Sequence, residues 1–92
     1  MKITAEMSLY PLADSPIPKI IEFIRELRER PGLEVVTNQL STQLRGEFEA
    51  VTSAVNACMH EAMQAPHTVV LVVKYLNIDA DINRVPSLTP DD

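Results

Sequence analysis

LEVVTNQLSTQLRGE, residues 33–47, is the segment on which the topology of this sequence turns. It lies between two segments of helical period and contains two short strand-like runs, LEVVTN (33–38) and LSTQLRG (40–46). A turn with its tip at Asn38-Gln39 pairs Thr37 with Leu40, Val36 with Ser41, Val35 with Thr42, Glu34 with Gln43 and Leu33 with Leu44. Cross-strand partners share a face of a sheet. Leu33, Val35, Thr37, Leu40, Thr42 and Leu44 therefore fall on one side, and Glu34, Val36, Ser41, Gln43 and Arg45 on the other. A hairpin that only covered a core would set Val and Ile against Lys and Glu. This one carries Thr37, Asn38, Gln39, Ser41, Thr42 and Gln43, all neutral hydrogen-bonding groups, which calls for a functional reason.

Outward from the hairpin, KITAEMSLY (2–10) alternates strictly. Ile3, Ala5, Met7 and Leu9 point one way, with Lys2, Thr4, Glu6, Ser8 and Tyr10 opposite, the period of a half-buried strand. Pro11 closes it. In DSPIPKIIEFIRELRERPG (14–32) an apolar stripe of Ile17, Ile20, Ile21, Ile24 and Leu27, flanked by Phe23, repeats at helical spacing. Ser15 is the expected N-cap, with Pro16 at the first helical position, and Pro31-Gly32 stops the helix. EFEAVTSAVNACMHEAMQ (47–64) is a second helix, capped by Gly46, with Phe48, Val51, Ala54, Val55, Cys58, Met59 and Ala62 as its stripe. HTVVLVVKYL (67–76) is a fourth strand, with Val69, Leu71, Val73 and Tyr75 on one face and Thr68, Val70, Val72, Lys74 and Leu76 on the other.

The order β-α-β-β-α-β, with one apolar face per strand, predicts an α+β, ferredoxin-like domain over residues 1–77. Right-handed crossovers give a four-stranded antiparallel sheet of order 4-1-3-2, with both helices on one face. Residues 78–92 read as a polar, loosely held C-terminal tail.

Bulk properties narrow the function. The chain has 92 residues and a net charge of −5, the wrong sign for neutralising nucleic-acid phosphates. A single cysteine, Cys58, forms no internal disulfide, which fits a reducing compartment. The alternating N-terminus is unlike a signal peptide, and the apolar run Val69–Val73 is too short to span a membrane. The expectation is a cytoplasmic protein that binds neither nucleic acid nor membrane.

The sheet face left bare by the helices is the expected site. Glu6, Ser8 and Tyr10 stand there beside Ser41, Gln43 and Arg45, with Asn38 at the hairpin tip and Val36, Val70 and Val72 as apolar floor. Apolar floors with a few placed polar groups suit small molecules. The competing reading is a face that only meets water or a second copy. Other chemistry is thin. Cys58 sits in a core stripe, His60 has no i+4 histidine partner, and His67 stands alone. DADIN (79–83) opens like a calcium loop, but Arg84 stands where glycine is needed and Pro90 where the terminal Glu belongs. No metal, no catalytic cofactor and no nucleophile–base pair is expected.

The segments AEMSLYPL, GLEVVTNQLSTQLRGE and VVLVVKYLN together resemble the YkoF-like family of thiamine/hydroxymethylpyrimidine-binding proteins and, more distantly, single-domain thiamine-binding proteins. The resemblance spans about residues 3–77 and implies binding of thiamine or its pyrimidine without catalysis. It carries over to Ser8, Tyr10, Thr37, Asn38, Ser41 and Thr42, whereas Glu6 and Gln43 enter on strand geometry. Some members hold two such domains, so a single-domain chain is expected to form a homodimer or tetramer. Two alternatives stay open: a homo-oligomeric structural or regulatory domain without ligand, and a small enzyme using Glu6 as base.

Overall fold

Alternation places Ile3, Ala5, Met7 and Leu9 on the inner face of β1 (Lys2–Pro11), and all four are buried. The computed structural model describes residues 1–89. After β1 come α1 (Ile17–Glu29), β2 (Glu34–Thr37), β3 (Thr42–Glu47), α2 (Phe48–Ala62) and β4 (Val69–Leu76). The sheet order is β2-β3-β1-β4, the expected 4-1-3-2 read from the other edge, and every pairing is antiparallel. Both helices pack on the face of Ala5, Met7 and Leu44. Phe23 and Leu27 come from α1, and Val51, Ala54, Val55 and Cys58 from α2. Leu33, Val35, Val69, Leu71 and Val73 close the core at its margins.

Several details of the elements differ from expectation, each for a physical reason. The hairpin pairs Val36 with Gln43 and Thr37 with Thr42, so residues 38–41 form a four-residue turn. A two-residue hairpin turn needs positive φ at one or both central positions. No non-glycine residue among those described has positive φ, and the turn is long instead. Asn38 closes it: its N–H donates to the Ser41 carbonyl at 3.1 Å. Its side-chain Oδ1 accepts from the amides of Leu40 at 2.9 Å and Ser41 at 3.1 Å. The register moves by two residues, an even number, so both faces keep their side chains. Only Leu40 is lost from the inner face; it lies in the turn, 88% exposed.

In α1, Pro16 rather than Ser15 is the cap, without a side-chain hydrogen bond; its carbonyl accepts from Lys19 and Ile20. The buried side of α1 centres on Phe23 and Leu27 with Ile20 and Ile24 half-buried, and Ile17 and Ile21 are exposed. The cap of α2 is Glu47, not Gly46. Gly46 answers a different need. A Cβ there would lie 2.7 Å from the Gly32 carbonyl oxygen and 3.1 Å from Leu33 Cδ2. Gly32, at φ +76°, turns the chain out of α1 in the left-handed region.

Thr4, expected on the open face, is buried because the chain after β4 folds back across it. Its hydroxyl donates to the Ile78 carbonyl at 2.8 Å and accepts from the Ala80 amide at 2.9 Å. Arg45 donates to the Ala80 carbonyl at 2.7 Å, and Asn83 reaches Glu34. Residues 78–83 are thus tied down across one end of the sheet; Pro90 lies outside the described residues.

Because the nearest atom a Cβ at Gly46 would meet is rigid backbone, Gly46→Ala should destabilise the fold by about 1–3 kcal/mol. Urea unfolding checks this. An unchanged midpoint would show that the Gly32–Leu33 connection yields freely.

Candidate functional site

On the open face the side chains stand in rows across the strands. Tyr10 lies beside Val70, and Ser8 beside Val72. The next row runs Val36, Gln43, Glu6, Lys74, and the last Glu34, Arg45, Thr4, Leu76. The third row is tied into a polar chain. The Lys74 ammonium stands 3.1 Å from one Glu6 carboxylate oxygen, and the Ser41 hydroxyl donates to the other at 3.0 Å. Gln43 Nε2 donates to the Ser41 oxygen at 2.7 Å. Lys74, then Ser41, hold the Glu6 carboxyl below the usual carboxylate range, with burial opposing weakly. Lys74 was not a candidate in the sequence; its nearness to Glu6 comes from the β1–β4 register, which alternation alone does not specify.

Concavity lies at the end of this face. A groove of about 230 Å³ opens between α1, the end of β1 and the hairpin turn. Ser8, Tyr10, Thr37, Asn38, Ser41 and Thr42 line it, all six of the residues carried by the motif. Glu6 and Gln43 do not; they stand one row away, joined to it through Ser41. Thr37 and Thr42 belong to the helix-side face and bond to each other at 3.0 Å, so the groove wraps around the sheet's edge. The apolar wall is Met7, Leu9, Ile20, Phe23 and Ile24. Ile20 and Ile24 were visible only as members of a core stripe; their role follows from α1 crossing beside the turn. Ser8 donates to the Leu40 carbonyl at 3.3 Å, bracing the turn against β1.

The chain belongs to the YKOF-related family, whose model matches residues 2–80. No curated protein matches it. Among solved structures it is similar to the hypothetical protein MJ1052 of Methanocaldococcus jannaschii, at 23% identity and TM-score 0.74, covering 91% of this chain and 88% of that one. It is similar to SP2199 of Streptococcus pneumoniae at 22% identity and TM-score 0.67, covering 92% and 93%. It is also similar to a candidate thiamine biosynthesis/salvage protein, TM0486 of Thermotoga maritima, at 19% identity and TM-score 0.62, covering 94% and 90%. At these identities the likenesses show the fold.

Among the described residues, no cluster of three or more His, Cys, Asp or Glu could hold a metal ion, and no helix is long and apolar enough to cross a membrane. Cys58 is buried among apolar neighbours; burial pushes its thiol up, with Arg30 opposing.

A second groove, of about 220 Å³, lies between α1, the end of α2 and the start of β4, with Glu22, Glu26 and Glu61 on its rim. Burial first, then the charges of Glu22, Glu61 and Glu29, push the Glu26 carboxyl up. The carboxyl therefore binds its proton more readily folded than unfolded. Its stabilising contribution is fully present below the ordinary carboxylate range and is lost as pH rises through the raised folded value. Glu26→Gln should stabilise the fold at pH 7 by about 0.2–0.5 kcal/mol, the size of a like-charge helix pair. The gain should vanish in acid. Melting curves at both pH values check the sign, and a variant less stable than wild type at pH 7 would contradict it.

Proposed function

We propose that the groove beside the hairpin turn seats the pyrimidine ring of thiamine or of free hydroxymethylpyrimidine, and that the protein binds this ligand in the cytoplasm without turning it over. The observation that carries the reading is the gathering of Ser8, Tyr10, Thr37, Asn38, Ser41 and Thr42 around one concave place. Hydroxyls and an amide over an apolar wall suit a flat, neutral heterocycle whose edge carries donors and acceptors. Membership of the YKOF-related family and the described role of the Thermotoga relative point the same way. Size agrees: about 230 Å³ is below the ~300–1,000 Å³ of sites for drug-sized ligands, so one ring sits inside and the remainder projects outward.

The charge pattern favours the ring over the thiazolium as the anchor. Glu6, the carboxylate one row from the groove, already pairs with Lys74. Tyr10, 53% exposed at the groove mouth, offers its aromatic face to whatever projects. A second copy completes the assembly in this reading, covering Val70, Val72 and Tyr10, which stand exposed together on the open face. A monomer in sedimentation at micromolar concentration would remove that part.

Titration calorimetry and thermal shift with hydroxymethylpyrimidine and thiamine test the binding. Both should bind and raise the melting temperature. Ser8→Ala should weaken binding by about 0.5–1.5 kcal/mol, one neutral hydrogen bond. Glu26→Gln and Glu61→Gln, in the other groove, should leave affinity unchanged. No response to either compound would favour the ligand-free structural or regulatory domain. Loss of affinity in the Glu26 or Glu61 variant would move the site to the acidic groove.

A further inference from the structure

We propose that Glu6 is a positioning residue which, through the Ser41 hydroxyl, makes the groove select an amino-substituted nitrogen heterocycle over its oxo counterpart. This rests on the proposed function and adds to it the rule by which the ring's edge is read.

The inference follows from where each proton must lie. A carboxylate has no proton to give. At 3.0 Å from Glu6, the Ser41 hydroxyl is therefore the donor, and its one proton points away from the groove toward β1. The Gln43 amide, 2.7 Å from the same oxygen, must then donate to it. One lone pair of Ser41 is left, and Ser41 lines the groove. Ser8 is in the same condition: its proton goes to the Leu40 carbonyl at 3.3 Å, leaving only lone pairs. Asn38 is the opposite case. Its Oδ1 accepts from the Leu40 and Ser41 amides, so only the two N–H groups of Nδ2 remain.

The groove thus offers acceptors at Ser8 and Ser41 and a donor at Asn38. An exocyclic amino group beside an unprotonated ring nitrogen matches this pattern, giving N–H to a serine and accepting from Asn38. The oxo tautomer presents the reverse, a carbonyl oxygen facing lone pairs and a ring N–H facing N–H. Were Glu6 unable to accept, the Ser41 proton would be free to turn inward and the distinction would fade. Lys74, 3.1 Å from the far oxygen of Glu6, keeps the carboxylate in its acceptor form from outside the groove.

The test is calorimetric titration of the full chain, at a pH where both probes are neutral, with 4-amino-5-hydroxymethyl-2-methylpyrimidine and its 4-oxo analogue. Wild type should prefer the amino probe by roughly 10–100-fold, the effect of leaving buried polar groups unpaired. Glu6→Gln, whose amide oxygen faces the Lys74 ammonium so that its N–H groups face Ser41, should lose about tenfold of that preference. The exchange Glu6→Gln with Gln43→Glu conserves charge, moves the acceptor to the other side of Ser41 and should restore the preference. Equal binding of both probes by wild type, or an undiminished preference in Glu6→Gln, overturns the inference while leaving the proposed function standing. Failure of wild type to bind either probe overturns both. A ligand-free measurement covers the case in which the variants fold poorly. The Glu6 carboxyl, followed by 13C NMR, should titrate at higher pH in Ser41→Ala than in wild type; an unchanged titration means that Ser41 does not donate to Glu6, and the inference falls.

Discussion

The carboxamide oxygen of Asn38 holds the candidate site together. By accepting from two turn amides it lets residues 38–41 close the hairpin without a positive-φ residue, and so sets the length of the turn. That length pairs Thr37 with Thr42 and puts Ser41 just outside β3, within reach of Glu6 on β1. The Leu40 carbonyl is thereby turned to Ser8. A shorter turn at Asn38-Gln39 would draw Ser41 into the strand opposite Val36. The groove against α1 depends on the longer turn, because the turn supplies its outer wall. Asn38 thus holds the loop with one end of its amide and leaves the other end for the proposed ligand.

Much of the fold was legible because strand faces depend on parity. The two-residue error in the hairpin register left Val35 and Leu44 inward and Val36, Gln43 and Arg45 outward, so the layer structure and sheet order survive it. What was not legible is what depends on three-dimensional neighbours. Whether Ile17 or Phe23 of α1 faces the core is decided by how the helix is rolled against Met7 of β1 and against α2, and periodicity accommodates both. Thr4 has the alternation of an exposed residue and is buried by a backbone segment 74 to 76 positions away. The motif residues of the groove were legible as a set through family likeness. Their meeting place was not, because it needs both the turn and α1, and because Thr37 and Thr42 lie on the opposite face from Ser8 and Ser41.

Electrostatics separates the molecule into distinct surroundings. The −5 net charge is concentrated in part at Glu22, Glu26 and Glu61, where carboxylates crowd one another across the two helices. At the hairpin groove charge is held one layer back, with Glu6 and Lys74 paired on the open face and neutral groups facing inward. Neutral groups discriminate by the direction of their hydrogen bonds, whereas a charge would attract any counter-ion within a Debye length of about 10 Å. A site that must tell one substituted ring from another is better built from the former.

Whether a pyrimidine sits in the hairpin groove can be read by titrating 15N-labelled protein with hydroxymethylpyrimidine and following the backbone amides by NMR. The largest shifts should fall on Asn38 through Thr42 and on Ser8 and Tyr10, with little change at Glu22, Glu26, Glu61 and His67. Shifts centred on that second group, or spread along Val70 and Val72 in the middle of the open face, would contradict it.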